Sequence, residues 1–123
     1  MCYATGGVVD DLLVYRLGEE NYMLVINASN IDKDIEWLQK HLPESVTLQN
    51  ISEQTALIAL QGPLAADILA KAAGSDAYKE LPGFSFIADA ELFGAKVILS
   101  RTGYTGEDGY EIYAPADLSL IHI

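Results

Sequence analysis

The sequence predicts an α+β fold: a mainly antiparallel sheet with helices packed on one face. Strand-like apolar runs outnumber helical ones, most neighbouring runs are joined by short polar turns, and the order is not the strict strand–helix alternation of a parallel sheet.

The elements follow in order. "VVDDLLVYRL", residues 8–17, is rich in β-formers and follows Gly6 and Gly7; it reads as a strand. "YMLVIN", residues 22–27, lies across a polar turn from it and completes a hairpin. In "NASNIDKDIEWLQKHLP" the period changes. Ile31, Ile35, Leu38 and Leu42 recur at helical spacing, Ser29 or Asn30 can cap the start, and Pro43 stops the run. Glu36 and Lys40 add an i,i+4 pair on the exposed face, and Trp37, beside the apolar stripe, reads as structural.

A short alternating segment around Val46 and Leu48 precedes "TALIALQ", residues 55–61, a continuous apolar run that suits a strand buried on both faces. Pro63 opens a second helix at its first position, with Leu64, Ile68, Leu69 and Ala72 on one side and Gly74 as terminator. After a turn at 81–83 come "FSFIADA", "LFGAKVILSR" and "YEIY" as three further strands.

Composition narrows the function classes. At 123 residues and 50% hydrophobic, the chain can bury a core and is not a disordered segment. Its formal charge of −11, with no stripe of Lys and Arg, argues against nucleic acid as a partner. The single cysteine, Cys2, excludes an internal disulfide and points to a reducing compartment; with only His41 and His122 no metal cluster is expected. The apolar runs are too short to span a membrane and no signal-peptide pattern opens the chain, so a soluble intracellular protein is expected.

Four groups of residues can carry chemistry. In a strand Asp11, Leu13 and Tyr15 share one face and Asp10, Leu12 and Val14 the other, so one aspartate points inward. An inward carboxylate can share a proton with an amine; the plain alternative is a solvent-facing acid at a strand edge. Asn27 stands where strand becomes helix, as a cap or turn former, or as an amide that presents a donor and an acceptor to a heterocycle. The tyrosines, Tyr15, Tyr104, Tyr110 and Tyr113, suit core packing or a stacking site for a flat ring.

The fourth group is "SRTGYTGEDGYE", residues 100–111. Its glycines suggest a phosphate loop, but no Lys follows them, no helix begins, and Glu107 and Asp108 would repel an anion. What remains is a strand running into tight turns that position Tyr104 and Glu111. A glutamate on a strand can accept two parallel N–H bonds from an aminopyrimidine edge; a glycine-rich hairpin with surface acids is the alternative.

Taken together, "GGVVDDLLVY", "LVINASNIDKDIEWL", "TALIALQGP" and "SRTGYTGEDGYE" resemble the hallmark segments of the aminomethyltransferase, or T protein, family of the glycine cleavage system. The resemblance implies part of that family's larger multidomain folate-binding fold. It implies transfer of a methylene group from the aminomethyl-lipoyl arm of the H protein to tetrahydrofolate, with release of ammonia, in the cytoplasm or, in a eukaryote, the mitochondrial matrix. On this resemblance Asp11 is catalytic and orients the folate amine. Leu13, Tyr15, Val25, Asn27, Tyr104 and Glu111 bind folate, and no metal is used.

An arginine that the family contributes from a later segment, and its N-terminal pocket residues, have no counterpart in the chain. Family members are about three times as long, so residues 1–117 are expected to be a partial folate-binding domain within a longer protein. Residues 118–123, "LSLIHI", match nothing in the family and stand as an unassigned tail, read as a truncation artefact. The alternatives on the same scaffold are the folate-binding domain of a dimethylglycine- or sarcosine-oxidising enzyme, a demethylase, or a non-enzymatic iron–sulfur assembly factor. A further alternative is an inert partial domain.

Overall fold

A computed structural model describes residues 1–118; the tail at 118–123 lies outside the described residues except for Leu118, which closes a short 3-10 helix, Ala116–Leu118. The chain divides into two units, Met1–Asn50 and a second that begins at Ile51.

In the first unit, β1 (Leu13–Arg16) and β2 (Tyr22–Val25) form an antiparallel hairpin in which Leu13 pairs with Val25 and Tyr15 with Met23. The first strand is shorter than the expected 8–17: residues 9–12 are irregular, and Val8 makes only an isolated bridge to Cys2. The cause lies in the two aspartates. Consecutive side chains of a strand point to opposite faces, yet Asp10 and Asp11 both reach the amide of Asn27, which strand geometry would forbid.

Asn27 (φ −67°, ψ 131°) leads into a 3-10 turn, Ala28–Asn30, and then α1 (Ile31–His41). Asn30 occupies the N-cap as expected, but no side-chain capping bond forms. Leu42 leaves the helical region because it precedes Pro43, whose ring disfavours that conformation in its neighbour. The Glu36–Lys40 pair closes at 2.5 Å on the exposed face, where such pairs add little stability. Trp37 stacks on His41 with ring centroids 4.0 Å apart. No strand forms around Val46 and Leu48.

The second unit is a four-stranded antiparallel sheet in the order β3-β6-β5-β4, formed by β3 (Thr55–Gln61), β4 (Phe86–Leu92), β5 (Ala95–Ser100) and β6 (Gly109–Pro115). The helix α2 (Ala65–Ala73) packs on one face, where Ala65 and Leu69 meet Ala90, Val97, Leu99 and Tyr110. The α+β class therefore holds, with the strands shared between two sheets rather than gathered into one.

Three expectations need correction here. The run at 55–61 is not buried on both faces: among the described residues β3 is an edge strand, paired with β6 alone, and Leu57 and Ile58 are 49% and 42% exposed. Pro63 lies ahead of the helix rather than at its first position, since Leu64 is the N-cap, and the face that packs is the small one. Leu64 and Ile68 are exposed, whereas Ala65 and Leu69 are buried.

The third correction concerns "LFGAKVILSR", which is not one strand. Phe93 and Gly94, at φ 51° and 78°, make a two-residue turn between β4 and β5, a conformation that suits the glycine and that a phenylalanine rarely adopts. Gly74, at φ 66°, terminates α2 as expected, its N–H bonded to the carbonyls of Ala70 and Lys71.

Candidate functional site

In the first unit, the amide of Asn27 joins the two aspartates. Its Nδ2 donates to Asp10 Oδ1 at 2.9 Å, to Asp11 Oδ1 at 3.2 Å and to the Asp11 carbonyl at 3.3 Å. Asn27 makes no capping bond, so the cap reading of this residue gives way to that of an amide bridging two acids. Leu13, Tyr15 and Val25 share one face of the hairpin beside it, Leu13 and Val25 as direct partners. Tyr15 is buried, which leaves its ring little free face for stacking.

The aspartates differ in environment. Asp10 is 6% exposed, while Asp11 is open to solvent. Burial would raise Asp10, but the Asn27 amide that donates to it and the polar groups around it, the Asp34 carboxyl, the Asn30 amide and the Asp11 backbone, together hold its carboxyl well below the usual carboxylate range. Asp34 shifts the other way: burial, then the neighbouring Asp10 carboxyl and its charge, raise it, against a smaller opposing effect of Lys33 at 3.7 Å. Among these acids, Asp11 alone presents a carboxylate to an incoming ligand.

In the second unit, the glycine-rich segment is fastened rather than open. Gln61, at the end of β3, donates from Nε2 to the carbonyls of Thr102 at 3.2 Å and Tyr110 at 3.0 Å, and the Gly62 N–H donates to the Asp108 carbonyl at 2.8 Å. A Cβ at Gly103 or Gly109 would overlap the Gln61 amide, so these glycines make room for a side chain. Gly106 is the one in this segment that needs positive φ, at 78°.

Asp108, which looks from the sequence like a repelling acid, is paired with Arg101 Nη2 at 2.9 Å. Arg101 Nη1 in turn donates to the carbonyls of Lys79 and Leu81, each at 3.0 Å. The cleft of about 150 Å³ beside this loop, lined in part by Arg101, Glu107 and Asp108, is smaller than the several hundred Å³ usual for a cofactor-sized ligand.

Replacing Gly109 by alanine is expected to push Gln61 off its two carbonyls and to cost about 1–3 kcal/mol, the range for buried polar groups left unpaired. A denaturant midpoint lowered for Gly109→Ala, with Gly83→Ala nearly unchanged as a control in open space, would bear this out.

Glu111 lies on β6 with its side chain on the opposite face from Tyr110, which packs under α2. It is 6% exposed, and its Oε2 accepts a short hydrogen bond from Thr102 Oγ1 and a longer one, 3.5 Å, from Tyr113 Oη. Ser100, paired with Glu111 across the strands, bonds to the Thr102 hydroxyl at 3.0 Å. These hydroxyls restrict the rotamer of the carboxylate. Tyr104, by contrast, is 93% exposed in the loop.

The family model described as the GCVT N-terminal domain matches residues 1–120. The chain belongs to this family. The aminomethyltransferase of Bacillus subtilis (strain 168) is 54% identical over 123 residues, all of this chain and 33% of the relative; that of Bacillus pumilus (strain SAFR-032) is 53% identical over 124 residues. The crystal structure of glycine cleavage system aminomethyltransferase T from Bartonella henselae aligns at a TM-score of 0.77 and 36% identity, over 97% of this chain and 31% of that one. The chain thus spans about a third of the length of the curated relatives it matches.

Within this GCVT N-terminal domain, the resemblance read from the four segments is borne out. The structure brings Asp11 and Asn27 together and sets Leu13 against Val25. In the other unit Glu111 is held and Tyr104 is free. Sequence reasoning missed Asp34, Gln61, Arg101 and Thr102. Asp34 carried a signal, since it lies three residues after Ile31 and four before Leu38, on the apolar stripe of α1. The others gain their roles from partners 20 or more residues away, except for the pairs inside the loop itself.

Proposed function

We propose that this chain supplies the folate-binding part of an aminomethyltransferase of the glycine cleavage system, acting within a protein of its relatives' length and in the cytoplasm. The observation that carries this is 54% identity across the whole chain to a curated aminomethyltransferase. The chemistry of the donor set supports it. Asp11 offers an exposed carboxylate already oriented by Asn27, while Asp10 is enclosed and engaged internally, so Asp11 is the acid that can meet an amine.

Tetrahydrofolate, when bound, supplies the amine that accepts the methylene group from the aminomethyl-lipoyl arm of the H protein, with ammonia released. The chain's own residues have narrower tasks. Asp11 holds and orients a proton-bearing amine and can take its proton. Asn27 keeps the Asp11 carboxylate in one position by donating to Oδ1. Leu13, Tyr15 and Val25 form an apolar strand face beside these groups. Glu111, braced by Thr102 and Tyr113, accepts N–H bonds from the aminopyrimidine edge, and Tyr104 offers an unpacked ring.

In a full-length protein that contains this chain, Glu111→Ala is expected to weaken tetrahydrofolate binding about 10- to 100-fold, the effect of losing a hydrogen bond to a charged group. Calorimetric titration measures the affinity, and ammonia release from aminomethyl-lipoylated H protein measures the reaction. Unchanged affinity in the variant would remove Glu111 from the folate site; no ammonia release by the unmodified protein would overturn the assignment as a whole.

A further inference from the structure

We propose that Asp34 is a positioning residue: as a buried carboxylic acid it donates its proton to Asp10, and so holds Asn27, and through Asn27 the carboxylate of Asp11, in a single arrangement. Asp34 is 0% exposed, and neither of its carboxyl oxygens has a hydrogen-bond partner among the described residues. Asp10 Oδ2 is buried and equally without one, while Asp10 Oδ1 is taken by Asn27. A proton on Asp34 gives that carboxyl a donor and Asp10 Oδ2 an acceptor's role. Two ionised carboxylates at this depth would repel and leave all three oxygens unsatisfied.

The groups that face the pair are few. Asp10 comes from the segment before β1, Asn27 and Asn30 are neutral amides, and Lys33 is, among the described residues, the cation near Asp34, at 3.7 Å, with its Nζ donating to the Val9 carbonyl. The directions of the two carboxyls agree with this geometry: Asp34 is raised and Asp10 lowered, so one proton belongs to Asp34. The sign follows. The arrangement is complete while Asp34 is protonated and loosens as pH rises through its raised value.

The consequence for catalysis rests on the role given to Asp11 above; the hydrogen-bond chain does not. Carboxyl carbon NMR of the chain should show Asp34 titrating above, and Asp10 below, ordinary aspartate. The Asn27 side-chain amide resonances should move as Asp34 titrates. With Asp34→Asn, which keeps an N–H donor toward Asp10 but has no proton to lose, they should stay at the low-pH position throughout; with Asp34→Ala they should be displaced at every pH.

In a full-length protein that contains this chain, kcat for aminomethyl transfer should fall by up to about tenfold per pH unit above the Asp34 titration in the wild type, with tetrahydrofolate affinity changed far less, and stay level in Asp34→Asn. An Asp34 that ionises with ordinary carboxylates, or Asn27 resonances that ignore both substitutions, would overturn the proposal. Because the NMR measurement contains no folate, a wild-type chain that binds none would count against the function proposed above and not against this hydrogen-bond chain.

Discussion

Asp11→Asn, introduced into a full-length protein that contains this chain, is expected to lower aminomethyl transfer about 10²- to 10⁴-fold, the usual contribution of a positioned acid–base group. The substitution is nearly isosteric, and the new side chain still offers an oxygen to the Asn27 amide that now donates to Asp11 Oδ1 at 3.2 Å. Local geometry should therefore survive. What is lost is the negative charge and the capacity to take a proton, both of which matter more in the transition state than in the bound ground state. The decrease should appear in kcat, with the affinity for tetrahydrofolate changed far less. Ammonia release at the wild-type rate would exclude Asp11 as the acting acid.

A second large effect is expected in stability. Leu69 is 0% exposed and fixes α2 to the sheet, against a core that includes Leu99 and Tyr110. Leu69→Ala should cost about 2–5 kcal/mol, from lost burial together with the cavity left behind. Its neighbour Ile68 is 47% exposed, and Ile68→Ala should cost far less, since much of its side chain remains in water in either state. Urea unfolding of the two variants separates them. Equal shifts in midpoint would mean that α2 does not present the face described.

That pair also shows where sequence reasoning about the fold stopped. The period of "PLAADILAKAAG" places Leu64, Ile68, Leu69 and Ala72 on one side, and periodicity favours the larger residues as the buried ones. The helix instead packs through Ala65 and Leu69, because close approach to the sheet suits a small side chain on the contact line. Likewise "TALIALQ" has the composition of a buried strand, but its place at the sheet edge leaves Leu57 and Ile58 half in solvent. Composition reports what a residue tolerates, whereas its neighbours decide what it receives.

Similar reasons apply to the site. Asp11, Asn27 and Glu111 were legible as candidates because they are acids and an amide set among apolar and aromatic residues, and their roles because they fall in the four segments that resemble the family. Which aspartate faces inward was not, since the alternation rule presumes a strand that the Asp10–Asn27–Asp11 contacts interrupt. The glycine segment shows the same division. Its acids and the lack of a following helix exclude a phosphate loop from sequence alone, but the reason for Gly103 and Gly109, the amide of Gln61, comes from another strand.

The sequence by itself determined the α+β class, both helices, the family to which the chain belongs and the residue types available for chemistry, because these follow from local period, turn chemistry and the co-occurrence of four segments. The tertiary structure alone decided that Asp10 is enclosed and Asp11 open, that Asp34 lies buried against Asp10, that Arg101 neutralises Asp108, and that Glu111 is braced by Thr102. Each of these depends on a contact between residues whose separation in the chain carries no periodic signal. Burial, which sets the cost of a charge, is a property of such contacts and not of the residue that bears it.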